Sequence, residues 1–106
     1  MNGIHEGHRA RMKKKLLENG ERSLADHELL EVLLYYAIPR RDTNELAHRL
    51  LKQFGSLQGV LSAPVQELAC VSGVGQQAAL LMGMVQMLCR RAAQRENCLL
   101  YTSDAA

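Results

Sequence analysis

The sequence has no tryptophan, one phenylalanine and three tyrosines, so aromatics make up only 4% of its 106 residues. A core without aromatic bulk must be filled by Leu, Ala, Val and Met, which favours helices over a β-sandwich. Proline is scarce too, at two residues, and no regular runs of Val, Ile or Thr suggest strands. The three cysteines, Cys70, Cys89 and Cys98, are odd in number and form no CxxC pair. That spacing suits neither a disulfide framework nor a zinc site, and a reduced, cytoplasmic setting is the default. No apolar stretch reaches the ~18 residues of a membrane span. The longest, Ala78 to Cys89, is interrupted by Gly83 and Gln86. The N-terminus has basic residues but no apolar segment behind them, which excludes a secretory signal.

What is present is globular in character: 47% apolar and 23% charged residues in a length that suits one small domain. The net charge of +2 is unevenly placed. Arg9, Arg11, Lys13, Lys14 and Lys15 crowd one segment against a single acid, Glu6. Arg40-Arg41 and Arg90, Arg91 and Arg95 form two more basic spots, while Glu18, Glu21, Asp26, Glu28 and Glu31 gather elsewhere. Such runs read equally as solvated helix faces or as contacts for an anionic partner.

The pattern predicts an all-α bundle of five to six helices with short connections. A first helix spans His8 to Glu18, with Met12 and Leu16 on one face and Asn19-Gly20 as its stop. Ser23 or Asp26 caps a second, Glu28 to about Tyr36, whose Leu-rich surface marks it as central. Pro39 ends it. Asp42 to Glu45 fits a capping box with Asp in place of Ser or Thr, opening a third helix that carries Leu46, Ala47, Leu50 and Leu51. Phe54-Gly55-Ser56 is a break, and Ser56 caps a fourth helix through Leu61. Pro64 suits a first turn, Val65 to Ala69 is a fifth helix, and Gln76 to about Arg95 a sixth. The plan helix, tight turn, helix occurs around Arg41 and again around Gly75, a tandem arrangement.

The sharpest local signal is Leu68 to Met82. Leu68 and Val71 anchor one helix end, and Ala79 and Met82 the next helix. Between them Gly73-Val74-Gly75 forms a turn whose backbone lies open, with Val74 pointing inward to pin it. The helix after the turn starts with unpaired N–H groups at Gly75, Gln76 and Gln77, at the positive end of its dipole. Those groups suit a phosphate oxygen and read no base. The alternative is a plain helix–helix turn. At the other turn Pro39 has no N–H, so a phosphate contact there falls to the Arg40 and Arg41 side chains, unless one of them pairs with Asp42.

No catalytic constellation is legible. Ser72 has no adjacent His and acid at a recognisable spacing, and Gly73-Val74-Gly75 fits neither a dinucleotide fingerprint nor a Walker loop. His5 and His8 share a helix face but lack a third ligand. The expectation is that His8 caps or packs beside the second helix while Arg9 stays outside. No cofactor and no metal is expected, and no enzymatic activity.

His5-Glu6-Gly7-His8-Arg9-Ala10-Arg11, Glu28 through Thr43 with its Ile-Pro-Arg-Arg-Asp-Thr stretch, Phe54-Gly55-Ser56-Leu57 and Gly73-Val74-Gly75 together resemble the N-terminal domain of the bacterial RadC family over roughly residues 4–95. Val74 stands where that family often has Ile. The resemblance implies a helix-hairpin-helix module, a link to DNA repair, and in complete members a C-terminal metallopeptidase-like domain of the JAMM/MPN type. The His-x-His motif of that domain does not occur after Arg95. The domain is therefore read as residues 1–97. Cys98 to Ala106 departs from the helical pattern and resembles a peptide encoded by read-through of sequencing-adapter DNA, so it is expected to be non-native.

Two functions follow as expectations. The first is sequence-independent DNA binding to the phosphate backbone, with Gly73, Val74, Gly75, Gln76, Gln77, Arg40, Arg41, Arg9, Arg11 and Lys13 as the contacting set. The second is an interaction or regulatory domain, in which the apolar Ala78–Cys89 stretch packs against a missing domain or a second copy. Neither involves a membrane.

Overall fold

Glycine and side-chain caps set the helix ends of this chain, and the helices they delimit are the fold. The computed structural model describes residues 2–95, which hold six α-helices and no strand. These are α1 (Asn2–Asn19), α2 (Asp26–Tyr35), α3 (Thr43–Phe54), α4 (Leu57–Ser62), α5 (Val65–Ala69) and α6 (Gly75–Arg95). The end of the domain at residue 97 and the Cys98–Ala106 tail lie outside the described residues.

The stops fall where the sequence puts them. Gly20 takes φ 84° and returns its N–H to Leu16 O at 2.9 Å, closing α1. Gly55 does the same for α3 at φ 90°, bonding Leu51 O at 2.8 Å. Ser56 then caps α4 by accepting from Gly59 N–H. Asp42 caps α3, though its carboxylate takes the Asn44 N–H at 3.0 Å.

Two local readings are corrected. The first helix begins at Asn2, six residues before His8. A 3-10 turn, Glu21–Ser23, follows it, and Ser23 Oγ is spent there on Gly20 O. The cap of α2 is therefore Ala25, neither Ser23 nor Asp26. Ala25 has no side-chain acceptor, but its own N–H is held by the Glu28 carboxylate at 2.8 Å, so one half of a capping box suffices.

Helix α2 is central, as its leucines imply. Leu30, Leu34 and the following Ile38 pack with Leu46, Ala47 and Leu50 of α3, Val60 of α4, Leu68 of α5, and Ala78, Ala79 and Met82 of α6. Another side of α2 carries Val32 and Tyr35 into a smaller cluster with Met12 of α1 and Leu24. Each fully buried Leu contributes about 1.5–3 kcal/mol. Val71 and Val74 join the main cluster, so the loop between α5 and α6 is nailed to the core at both ends.

One acid belongs to the interior. Glu31 is only 2% exposed. Its Oε2 accepts from Tyr35 Oη at 2.8 Å and lies 2.9 Å from His8 Nε2, and its Oε1 accepts from Asn44 Nδ2 at 3.0 Å. One carboxylate thus ties α1, α2 and α3 together beside the 39–42 turn.

Candidate functional site

The chain has two tight turns, 34 residues apart in sequence, and folding puts them side by side. A groove of about 600 Å³ runs between them, lined by Ala37 to Arg41 from one turn and Ser72 to Gly75 from the other. None of its lining residues is acidic.

The 72–75 turn is built as its sequence implies. Gly73 and Gly75 take φ 92° and 73°, values that L side chains rarely adopt. Val74 is buried and donates its N–H to Val71 O at 3.1 Å. Val74 therefore holds the turn from beneath, while Gly75, Gln76 and Gln77 are exposed at the start of α6. The first N–H groups of that helix have no intrahelical acceptor and carry the positive end of its dipole.

Arginine side chains crowd the bare face of Gly73. Arg41 Nη1 and Arg49 Nη2 each lie 3.5 Å from the point where a Cβ on Gly73 would sit, which puts them within about 7 Å of each other. Arg49 Nη1 also donates to Ser72 O at 3.0 Å, and this bond fixes its position. Among the described residues, the single carboxylate contact of ion-pair length is His8 with Glu31, so Arg40, Arg41 and Arg49 have no acid partner. Asp42, the acid nearest in sequence, is occupied as the cap of α3. Two converging guanidiniums that no acid of the described residues pairs with, beside open helix amides, form a positive concavity suited to an oxyanion.

Arg9 does not stay outside. Its guanidinium lies 4.5 Å from the centroid of the Tyr35 ring and donates to Arg41 O at 2.9 Å and Tyr35 O at 3.4 Å. Tyr35 O, at the end of α2, lacks an intrahelical donor, and Arg9 supplies one. It braces the 39–42 turn with one donor from each terminal nitrogen. His8 packs beside α2 as expected, through Glu31.

Arg11 is exposed on α1. Lys13 lies on the same helix with its ammonium 4.9 Å from the Tyr36 ring centroid. Both lie away from the Gly73 groove, and Lys13 lines a neighbouring groove with Arg9 and Lys14. Sequence reasoning missed Arg49, Tyr36 and Glu31. Arg49 carries no motif; only the packing of α3 against the 72–75 turn reveals it. Tyr36 had a legible signal, an aromatic at the exposed end of a Leu-rich helix.

Burial pushes the Tyr35 phenol well above its ordinary value, and the hydrogen bond to Glu31 adds to that effect. Tyr35 is thus a stable O–H donor, not an acid-base group. Among the described residues no cluster of three or more His, Cys, Asp or Glu could hold a metal ion, and no helix is long and apolar enough to cross a membrane.

Comparison with known proteins gives a family. Residues 4–80 match the family described as UPF0758 N-terminal, a stretch that contains both turns, Arg49 and Glu31. A UPF0758 protein of Ruegeria pomeroyi is 46% identical over 69 residues, which cover 65% of this chain and 31% of that protein. The match thus spans about a third of the length of this curated relative. No solved structure matches. With its two-turn groove inside the matched residues, the chain belongs to the UPF0758 N-terminal family.

Proposed function

We propose that this domain binds DNA through the phosphate backbone, without sequence preference, as the helix-hairpin-helix module of a RadC-type protein. The observation that carries the reading is the convergence of Arg41 and Arg49 on Gly73 with no acid of the described residues within ion-pair distance of them. A phosphate seated there takes charge-assisted bonds from both forks and from the first amides of α6. These groups touch no base edge, so the contact positions a duplex and does not read it. The role is one of binding, not catalysis, in the cytoplasm and in the service of DNA repair. In longer relatives the domain would deliver DNA to, or regulate, a metallopeptidase-like partner domain.

The test is fluorescence anisotropy of a labelled duplex at several salt concentrations. Sequence-independent binding falls at about 10⁻⁴–10⁻⁶ M, with a log–log salt slope near −0.9 per phosphate contacted. Replacing Arg41 and Arg49 together by Gln should weaken all sequences alike and flatten the slope by about two contacts' worth. An unchanged slope in that double variant removes the groove from the reading.

A second reading is favoured by one observation. Met87 and Leu88, the latter 63% exposed, continue an uncovered apolar stripe on α6 beyond the grooves. Such a stripe suits a protein contact, with a further domain or a second copy. A monomer by size-exclusion chromatography that binds no apolar dye would count against it.

A further inference from the structure

Tyr36 is 70% exposed, an unusual position for one of the few aromatics in this chain, and its sequence neighbours Tyr35 and Ala37 line the grooves on either side of its own. The Gly73 groove and a smaller apolar groove of about 310 Å³ share Ala37. Tyr36, Leu80, Leu81 and Met84 line the apolar one, together with Gln77. The α1 groove, which carries Arg9, Lys13 and Lys14 against one acid, Glu18, shares Pro39 with the Gly73 groove. The Lys13 ammonium lies 4.9 Å from the Tyr36 ring centroid. An exposed ring in an apolar groove thus adjoins the arginine-lined Gly73 groove through Ala37 and has the Lys13 ammonium beside it.

We propose that the Tyr36 groove receives one unpaired base of a DNA strand whose phosphates lie along the Gly73 groove, so that the domain favours a single-strand–duplex junction over a blunt duplex. This rests on the DNA-binding reading above and adds the substrate class to it. A base in a duplex has both faces covered and cannot enter an apolar slot; an unpaired base exposes a π-face that any aromatic can stack upon. Leu80 and Met84 supply the apolar wall, and Lys13 reinforces the ring's attraction for the adjacent strand by its charge. Charge selects the occupant: the acid-free Gly73 groove and the net-basic α1 groove nearby suit a polyanion carrying an apolar base, not an apolar helix of a protein partner.

The experiment compares a blunt duplex with the same duplex bearing a short overhang, 2-aminopurine being the first unpaired base. The chain should bind the overhang DNA about tenfold more tightly, the low end of the range for one stacked base, and change the 2-aminopurine fluorescence. Tyr36→Ala should bring the overhang-to-blunt ratio to about one and abolish the fluorescence change, whereas Tyr36→Phe should keep both. Leu80→Glu, at an exposed site, is a second variant that should also lose the ratio. If Tyr36→Ala and Leu80→Glu keep the preference, or if wild-type binds both DNAs equally, the stacking site is overturned while the phosphate groove stands. If no DNA of either form binds at low salt, the reading beneath it falls as well. A shift from dimer to monomer in Tyr36→Ala would show that a second copy fills the groove, and would overturn the proposal.

Discussion

His8 Nε2 lies 2.9 Å from Glu31 Oε2, a contact that joins the first helix to a carboxylate buried in the second. The same carboxylate holds Tyr35 and Asn44, so its loss would leave several donors without an acceptor. Glu31→Ala should destabilise the domain by about 2–5 kcal/mol, because each buried donor left without its acceptor costs about 1–3 kcal/mol. His8→Ala, at the half-exposed end, should cost about 1 kcal/mol. Urea denaturation followed by circular dichroism checks both, and equal effects would show that the network does not centre on Glu31.

Helices α5 and α6 approach at Gly83. A Cβ there would meet Val65 Cγ2 at 2.6 Å, and the branched Val65 side chain has little freedom to turn away. Gly83→Ala should cost about 1–3 kcal/mol from overpacking, despite its better helix propensity. Adding Val65→Ala should recover part of that loss. A double-variant cycle on thermal melts reads the coupling, and a stabilised Gly83→Ala would refute the close approach.

Arg9 acts on the site through Arg41. Because Arg9 donates to Arg41 O, Arg9→Ala should loosen the 39–42 turn, lower the melting temperature and weaken duplex binding. Its salt slope should stay near that of the wild type, since its donors face backbone carbonyls and not phosphate. A slope reduced by one contact would instead make Arg9 a direct ligand.

Tyr35 sets an alkaline limit. Burial, with the bond to Glu31, raises its pKa in the folded state above the ordinary 10.0. Below pH 10 the phenol is protonated in both states and its contribution is fully present. As the pH climbs past that value, the unfolded phenol ionises first, and stability is lost. Tyr35→Phe should show a shallower decline above pH 10 than wild type, measured as the urea midpoint. Parallel curves would mean that the phenol ionises as freely in the fold as out of it.

Much of the architecture was legible because it is local. Gly20, Gly55, Asp42 and Ser56 end or start helices by their own backbone and side-chain chemistry, and Val74 between two glycines could only point inward. The misreadings were of position, not type: Ser23 looked like a cap but serves the 3-10 turn, and Glu31 looked like one of an acidic surface group. A charge pattern does not show burial, because burial depends on which other helices cover that face.

The sequence alone determined six helices, the central place of α2 and the open glycine turn, since periodicity, capping and the φ preferences of glycine act within a few residues. Only the tertiary structure decided that Arg41 and Arg49 meet at Gly73, that Arg9 turns inward, and that Lys13 comes to the Tyr36 ring. Those relationships join segments far apart in the chain. They are set by how the α2–α3 and α5–α6 pairs pack across a shared core, which no local pattern encodes.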